Sequence, residues 1–449
     1  MSTGMAVDRR PAGGVGGLRG CVVAFPPAPE WPHEVPLTVH RDGVVLWRDG
    51  TIVDVGPAAE VLARHPADVA VTPYNDALIL PGFIDTHIHL PQSGVIASWG
   101  AQLLDWLERY TFPAEMRFAD PRVAEAGARF FCDELLRNGT TTAVAYATVA
   151  PQSVEALFAE ALSRGMRMIA GKVMMDRNAP EGLLDTAQSS YDDSKALIAR
   201  WHGRGRLAYA VTPRFAITST PAQLDAAGAL LREHPDVYLQ THLSENRDEI
   251  ATVARLFPDA RHYTDVYARH GLLGPRSILG HCIHLASDEI ALMADTASVA
   301  ALCPSSNLFI GSGLFDLAAL SGGGVRTALA TDVGGGTSFS MLRALQLAYK
   351  VMQLRGMNLT AAAGFHWITR GNSAALGLAD RIGTLAVGSE ADCVVLDPKA
   401  TPLLRHRLAA GDGSIEDMLF ALMMLGDDRV VRATYVAGRK AHDRGARPA

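Results

Sequence analysis

Cysteine is scarce in this sequence. The five cysteines are odd in number and scattered, at Cys21, Cys132, Cys282, Cys303 and Cys393, and no C-x-x-C pair occurs. This pattern argues against a disulfide framework and against a zinc ribbon. We therefore expect a cytoplasmic protein.

Long apolar runs and an excess of basic charge are also missing. No 18 consecutive residues are apolar, so no spanning helix is predicted. The 41 Lys and Arg residues are outnumbered by 47 Asp and Glu, which gives a net charge of −6. Such a chain has no broad electrostatic footprint for nucleic acid or for an anionic membrane.

The first 17 residues contain many glycines and two arginines but no apolar stretch. They do not read as a secretory signal, and we predict a disordered tail over residues 1–17. The remaining composition, with 48% hydrophobic and 20% charged residues among 449, is that of a globular protein. Length alone suggests about three domains, unless one unit is a large barrel. The 15 histidines are the feature to explain.

Both ends of the chain are rich in short β segments. Residues 18–80 contain several β-rich runs separated by turn residues, and similar runs return at residues 391–396 and 430–438. We predict that the two ends pair into one small discontinuous β-sandwich domain over residues 18–76 and 384–449.

The middle of the chain alternates between apolar strand-like runs and helical patterns. The helical pattern at 118–138 ends at Gly139, and the one at 154–164 ends at Gly165. Eight strand-like runs occur, near residues 79–89, 140–149, 167–175, 206–215, 237–243, 277–283, 298–303 and 326–333. This alternation predicts a (β/α)8 TIM-like barrel over residues 77–383, although an open doubly wound sheet fits nearly as well.

The first polar cluster is an H-x-H motif at the end of a predicted strand, in the run P-G-F-I-D-T-H-I-H at residues 81–89. Residues two apart in a strand project to the same side, so His87 and His89 can present two imidazoles to one metal ion. The alternative is a pair of partly exposed loop histidines.

A second cluster follows the predicted strand at 237–243. His242 ends that strand and offers a third imidazole, and Glu245 comes three residues later. A carboxylate close to a metal-bound water can accept its proton and return it to a leaving group. The competing interpretation of Glu245 is an acid in the first turn of a helix, where the macrodipole favours it.

Two further strand ends carry polar groups. His281 ends the apolar run at 277–281, with His284 as its competitor, and Asp332 ends the run at 326–332. A buried histidine bonded to backbone is the alternative for either imidazole. The glycines at 334–336 are not followed by G-K-[ST], so they indicate a tight turn rather than a phosphate cradle.

Together these strand ends give H-x-H, H, H and D in chain order. Three imidazoles and a carboxylate suit Zn²⁺ with a water in the remaining position, and the same donors also suit iron. A water bound there loses its proton near neutral pH. The site is therefore suited to adding hydroxide to an electrophilic sp² carbon.

This order of motifs resembles the amidohydrolase superfamily, whose metal site lies in a (β/α)8 barrel with a flanking β domain. The resemblance covers about residues 45–436, including the segment at 383–392 that leads back to the small domain. Four stretches resemble the branch of the superfamily that deaminates guanine: D-T-H-I-H-L-P-Q at 85–92, T-P-R-F at 212–215, C-P-S-S-N-L at 303–308, and T-D-V-G-G-G with S-F-S-M-L at 331–342.

The resemblance implies one zinc ion per chain, held by His87, His89, His242 and Asp332, with Glu245 as the proton shuttle. It also implies that His281 bonds to the water or the substrate without being a full ligand, and that Asp332 takes part in catalysis as well.

The resemblance further implies a homodimer and a small-molecule purine substrate. The residues expected to contact the purine are Gln92, Arg214, Phe215, His242, Glu245 and His281. Guanine offers a carbonyl O6 to an arginine and ring-edge nitrogens to a glutamine amide. Ordinary core packing is the alternative for Phe215, and a structural salt bridge is the alternative for Arg214.

Two other functions remain open at this stage. One is an amidohydrolase acting on a related aminated ring, such as 8-oxoguanine, a pterin or an aminotriazine, which the metal motifs cannot distinguish from guanine. The other is a catalytically silent member used as a scaffold, against which the presence of every expected metal-site residue argues.

Overall fold

The computed structural model describes residues 15–27, 35–66, 69–99 and 102–445. Strands and helices alternate through most of this part of the chain. Its sixteen strands are β1 (Val15–Ala24), β2 (Thr38–Arg48), β3 (Thr51–Pro57), β4 (Val69–Pro81), β5 (Phe83–His89), β6 (Thr140–Tyr146), β7 (Arg167–Gly171), β8 (Val173–Met174), β9 (Leu207–Pro213), β10 (Tyr238–Leu243), β11 (Ser277–His281), β12 (Val299–Leu302), β13 (Arg326–Leu329), β14 (Cys393–Leu396), β15 (Val431–Val436) and β16 (Arg439–Asp443).

The described residues also form seventeen α-helices, none of which is long and apolar enough to cross a membrane. They are α1 (Ala58–Arg64), α2 (Leu103–Trp106), α3 (Phe112–Met116), α4 (Pro121–Arg137), α5 (Pro151–Arg164), α6 (Ala187–Trp201), α7 (Pro221–Glu233), α8 (Arg247–Leu256), α9 (Tyr263–Arg269), α10 (Ser287–Asp295), α11 (Pro304–Phe309), α12 (Leu317–Gly322), α13 (Met341–Leu354), α14 (Ala361–His366), α15 (Asn372–Ala375), α16 (Pro402–Ala409) and α17 (Ile415–Leu425). Two π-helical turns, Leu107–Thr111 and Trp367–Gly371, interrupt the α-helical segments.

Eight parallel strands form the predicted barrel. Their order is β5, β6, β7, β9, β10, β11, β12 and β13, and the two-residue β8 pairs with β9. Each of the eight strand-like runs in the sequence contains one of these strands. Strands such as β5 and β6 are buried at every position, as expected where both faces of a parallel sheet are covered. The α/β barrel expectation is therefore confirmed.

The barrel closes where β5 meets the end of β13. The backbone N–H of Asp332 donates to the carbonyl of His87 at 2.9 Å, so the first and last barrel strands are joined. This contact excludes the open doubly wound sheet, in which the outer strands stay apart.

Asn372 reinforces this closure from inside the wall. Its Nδ2 donates to the carbonyls of Ile84 at 2.7 Å and Leu329 at 2.8 Å, and its Oδ1 accepts from the Leu329 N–H at 2.9 Å. The side chain is fully buried. One amide thus satisfies three backbone groups at the junction of two strands that lack a complete ladder.

Helices α4 and α5 end at the expected glycines, although α4 begins three residues after its predicted start and α5 three residues before it. Asp120 caps α4 by accepting from the N–H of Arg122. Gly139 with φ +81° and Gly165 with φ +70° follow α4 and α5 in the left-handed conformation that glycine adopts easily.

The two chain ends form one seven-stranded sheet in the order β16-β15-β14-β4-β1-β2-β3, as expected. The sheet curls strongly. The rings of Trp47 on β2 and Tyr435 on β15 lie 5.9 Å apart although three strands separate them, and the Tyr435 hydroxyl is 2.9 Å from that of Tyr74. The curled sheet encloses its own apolar cluster, as the two layers of a sandwich do.

The limits predicted for this sheet differ from the structure at two points. β4 continues to Pro81, which pairs with Cys393, so the expected boundary at residue 76 falls inside a strand. β1 begins at Val15, three residues inside the expected tail. Residues 1–14 of that tail lie outside the described residues, and its predicted disorder stays a prediction.

The junction at Asn372 gives a test of the closure. Replacing Asn372 with Ala removes its hydrogen bonds to three buried backbone groups, of which the Leu329 carbonyl keeps the Thr86 hydroxyl as a partner. The free energy of unfolding should therefore fall by roughly 2–4 kcal/mol. Denaturant unfolding of the metal-replete protein measures this change. Asn358→Ala, at an exposed position, is the matched control, and equal stability of the two variants would contradict the role of Asn372.

Candidate active site

The five predicted metal-site residues meet at the carboxyl end of the barrel. His87 and His89 end β5, His242 lies near the end of β10, His281 ends β11, and Asp332 follows β13. All five are buried. Because parallel strands bring these ends to one rim, side chains from four separate strands converge there.

Four donor atoms form a compact cluster. The Nε2 atom of His89 lies 3.3 Å from Nε2 of both His87 and His242. The Oδ1 atom of Asp332 lies 3.4 Å from His87 Nε2 and 3.2 Å from His89 Nε2. The donor atoms of His87, His89 and His242 all lie within 4.8 Å of one another, and separations of this size suit donors that share one metal ion.

The protonation state of the cluster also suits a cation. Burial lowers the pKa of His87 and of His89, that of His89 to about 3, so both imidazoles are neutral at pH 7. His242 Nδ1 lies 2.7 Å from the Arg214 carbonyl and must be the protonated nitrogen. Its Nε2 therefore carries a lone pair toward the cluster. A cation between the Nε2 atoms would be bound by the lone pairs of the neutral imidazoles, so these residues fit a metal ion.

Cys303 lies close to the cluster, and cysteine is a common metal ligand, so its role has to be decided from its surroundings. Its sulfur and one donor atom from each of His87, His281 and Asp332 all lie within 4.8 Å of one another. Burial raises the pKa of the Cys303 thiol well above its usual value, and the thiol donates to the Ala301 carbonyl. A protonated thiol is a poor ligand, so we do not add Cys303 to the set.

Backbone strain concentrates at this rim. Ser244, His281, Cys282 and Asp332 all have φ between +50° and +71°. Non-glycine residues adopt this conformation at an energetic cost and persist in it where the surrounding structure holds them. The strained residues include Asp332 and His281, whose side chains the cluster needs.

Asp85 supports the cluster from below. Its carboxylate accepts from the backbone N–H groups of Thr331 at 3.1 Å and His87 at 3.3 Å, and from the Thr331 hydroxyl. Burial raises the pKa of Asp85 to about 7. Asp85 lies two residues before the H-x-H motif, and no pattern in the sequence predicts that it ties β5 to the residue before Asp332.

Glu245 stands beside the cluster, opposite His281. Its Oε1 accepts from the Ser312 hydroxyl at 2.8 Å, and its Oε2 lies 3.4 Å from His281 Nε2. Burial raises the pKa of Glu245. Helix α8 begins only at Arg247, so Glu245 precedes it. Glu249 is the acid in the first turn, and it accepts from the backbone N–H groups of Glu245 and Asn246. The helix-acid interpretation therefore does not apply to Glu245.

His281 is held in a single orientation. Its Nδ1 lies 2.9 Å from Asn307 Oδ1, which can only accept, so Nδ1 is the donor. Its Nε2 lies 3.8 Å from Asp332 Oδ2 and close to Glu245. Burial opposes a charge on His281, but the carboxylates of Glu245 and Asp332 outweigh it and raise its pKa. The competitor His284 bonds to the Ser312 carbonyl instead and lies outside the cluster.

A pocket of about 390 Å³, including its open mouth, reaches the cluster. The predicted purine contacts Gln92, Arg214 and Phe215 are all buried in its wall. Apolar residues that the sequence reasoning did not assign complete the lining, namely Leu103, Trp106, Leu107 and Ile310.

Two residues behind the wall support it in ways that the sequence did not predict. Glu115, fully buried on α3, accepts from Arg214 Nη1 with both oxygens and from Gln92 Nε2. Arg214 is therefore in a salt bridge and in the pocket at once. Gly334, at φ +122°, lies so close to Gln92 that a Cβ atom there would come within 1.9 Å of Gln92 Oε1. The glycine run thus makes room for a pocket residue as well as a turn.

The family assignment rests on a match over most of the chain. The sequence profile of the amidohydrolase family matches residues 78–441, and a profile of an imidazolonepropionase-like composite domain from bacteria matches residues 43–67. The chain belongs to the amidohydrolase family, whose members depend on a metal.

Guanine deaminases are among its close relatives. The guanine deaminase of Escherichia coli is 47% identical over 429 residues, which cover 95% of this chain and 98% of that protein, and its solved structure superposes with a TM-score of 0.94. Guanine deaminase from Bradyrhizobium japonicum is 38% identical, with a TM-score of 0.92 over 96% of this chain and 100% of that one. A guanine deaminase from C. acetobutylicum, solved with guanine in its active site, is 26% identical, with a TM-score of 0.84 over 95% and 99%.

Metal content tests the cluster directly. We expect one divalent ion per chain, and His242→Ala should weaken metal affinity by more than about tenfold because it removes a donor. Elemental analysis after dialysis against a weak chelator measures this loss. His284→Ala, which removes a nearby imidazole outside the cluster, should keep its metal, and a similar loss in both variants would argue against the assignment.

Proposed function

We propose that this protein is a guanine deaminase, which converts guanine and water to xanthine and ammonia. One observation carries the proposal: His89, His242 and Asp332 of the buried cluster line the same pocket as the three expected purine contacts. The names of the relatives support guanine over an oxidised guanine, a pterin or an aminotriazine. A silent scaffold would have no need to keep the cluster, Glu245 and the pocket together.

The metal is proposed to be zinc, held by His87, His89, His242 and Asp332. Neutral imidazoles and one carboxylate suit it, although iron accepts the same donors. A divalent ion held there lowers the pKa of water to near neutrality.

The wall residues orient the ring. Arg214 donates to O6 of guanine, Gln92 bonds to the nitrogens of the ring edge, and Phe215 covers one face. These contacts turn C2 and its amino group toward the cluster. Because the wall is buried, hydrogen bonds within it are not weakened by competing water.

Glu245, Asp332 and His281 then transfer two protons. Glu245 accepts one proton from the attacking water and delivers it to N3, which leaves C2 tetrahedral. Asp332 and His281 orient the water oxygen and take the second proton. That proton leaves with the amino group when the C2–N bond breaks and ammonia departs. The raised pKa of Glu245 favours this role, since a carboxylate of ordinary pKa holds a proton too weakly.

Assembly and compartment are also proposals. A homodimer is proposed from the family resemblance, and light scattering at twice the 47.9 kDa chain mass would test it. A cytoplasmic location is proposed because all five cysteines are free, as expected in a reducing compartment.

A steady-state assay tests the reaction and its proton shuttle. Metal-replete protein should consume guanine and release ammonia in equal amounts, whereas Glu245→Gln should retain binding but lose kcat by a factor of about 100 or more. Glu125→Gln, at an exposed position, is the control. No turnover by the wild type would refute the activity, and full turnover by Glu245→Gln would refute the shuttle.

The glycine beside Gln92 gives a second test of the pocket. Gly334→Ala places a methyl group against the Gln92 side chain at a backbone angle unfavourable for alanine. We expect kcat/KM for guanine to fall at least about tenfold while metal content stays unchanged. Gly322→Ala, with no atom within 4 Å of the new methyl, should behave like the wild type.

A further inference from the structure

Glu115 joins two of the three purine contacts. Its carboxylate accepts from Arg214 Nη1 at 2.8 and 2.9 Å and from Gln92 Nε2 at 3.2 Å. The carboxylate has no exposed surface. Arg214 lies 99 residues along the chain from Glu115 and Gln92 lies 23, so the contact arises from the fold and from no local motif.

We propose that Glu115 is a positioning residue of the pocket, which sets Arg214 and Gln92 for the O6 edge of the purine and neutralises Arg214 beside an uncharged substrate. The inference rests on the proposed guanine deaminase activity. Glu115 itself does not line the pocket, so it acts through the two side chains that do.

The geometry of α3 supports this role. Phe112 and Glu115 are three residues apart and lie on the same helical face. The Phe112 ring lies 5.6 Å from the Arg214 guanidinium carbon, and the Glu115 carboxylate holds one of its nitrogens. The π-helical turn Leu107–Thr111 directly precedes this helix, and such turns are frequent at functional sites. Two side chains of one short helix thus contact the guanidinium, one through its ring and the other through its carboxylate.

The hydrogen-bond chemistry then decides which groups face the ligand. A carboxylate only accepts, so the Gln92 amide must turn its nitrogen to Glu115, which fixes the amide orientation. With Nη1 bound to both Glu115 oxygens, the donors that remain for O6 are on the rest of the guanidinium. Glu115 therefore selects which donor and which acceptor reach the purine edge.

Charge gives the second reason. A buried guanidinium without a counter-ion is strongly unfavourable. A phosphate or carboxylate substrate would supply the negative charge, but guanine is neutral. Glu115 supplies it from the protein, which allows an arginine to serve as a hydrogen-bond donor to a neutral ring.

A comparison of two substrates distinguishes a positioning role of Glu115 from a general structural role. 2-Aminopurine keeps the reacting C2 amino group of guanine and lacks O6. If Glu115 aims Arg214 at O6, Glu115→Gln should lower the ratio of kcat/KM for guanine to that for 2-aminopurine by about tenfold or more, mainly through KM for guanine. Glu115→Asp, which keeps the charge but shortens the side chain, should lower the ratio less. Glu125→Gln is again the control.

A double variant shows whether Glu115 acts through Arg214. In an Arg214→Met background, adding Glu115→Gln should leave the substrate ratio nearly unchanged, because the side chain that Glu115 aims at O6 is gone. Metal content and melting temperature are measured on every sample.

The outcomes are distinct. Equal losses for both substrates in Glu115→Gln would mean that Glu115 is only structural and would overturn the inference. Should that variant not fold, a wild-type ratio in folded Glu115→Asp would overturn it as well. A wild type without guanine turnover would defeat the proposed function itself, whereas an active wild type with an unchanged ratio in the variants would defeat the inference alone.

Discussion

The closure of the barrel between β5 and the end of β13 is the contact on which the site depends. The Asp332 N–H bonds to the His87 carbonyl, and Thr331 bonds to the Asp85 carboxylate 246 residues away in the chain. These bonds place a carboxylate from the last strand against two imidazoles from the first. Without closure, His87 and His89 would remain a pair on one strand, and two donors do not make a tetrahedral site.

Closure also explains why much of the site could be predicted from sequence. His87, His89, His242, His281 and Asp332 end strands that are recognisable as apolar runs, and parallel strands in a barrel bring their carboxyl ends to one rim. Residues that reach the site from helices and loops between the strands could not be predicted in this way. Ser312, Asn307 and Glu115 lie outside the barrel strands, and each looks like an ordinary helix or loop residue until its distant partner is in place. The limits of the terminal sheet were misjudged for a similar reason, since β4 continues to Pro81 only because β14 pairs with it.

Arg214 shows that two interpretations of one residue can both hold. A structural salt bridge and a ligand contact seem to compete for a guanidinium, but its five N–H groups allow it to do both. Glu115 binds one nitrogen and leaves the remaining donors in the pocket. For a neutral ligand the salt bridge is a requirement rather than an alternative, because the ligand cannot neutralise the buried charge.

The site therefore has two parts with different supports. The metal cluster is carried by barrel strands and by residues directly after them, where strained backbone at His281 and Asp332 is held by the closed sheet. The pocket wall beside the cluster is carried by segments between strands, with Gln92 after β5, α2 and α3 further on, and Arg214 and Phe215 after β9. Changes in the wall can alter which ring is bound without moving a metal donor. Glu115 lies where a single substitution would have this effect, since it contacts two wall residues and no ligand of the cluster among its hydrogen bonds in the described chain.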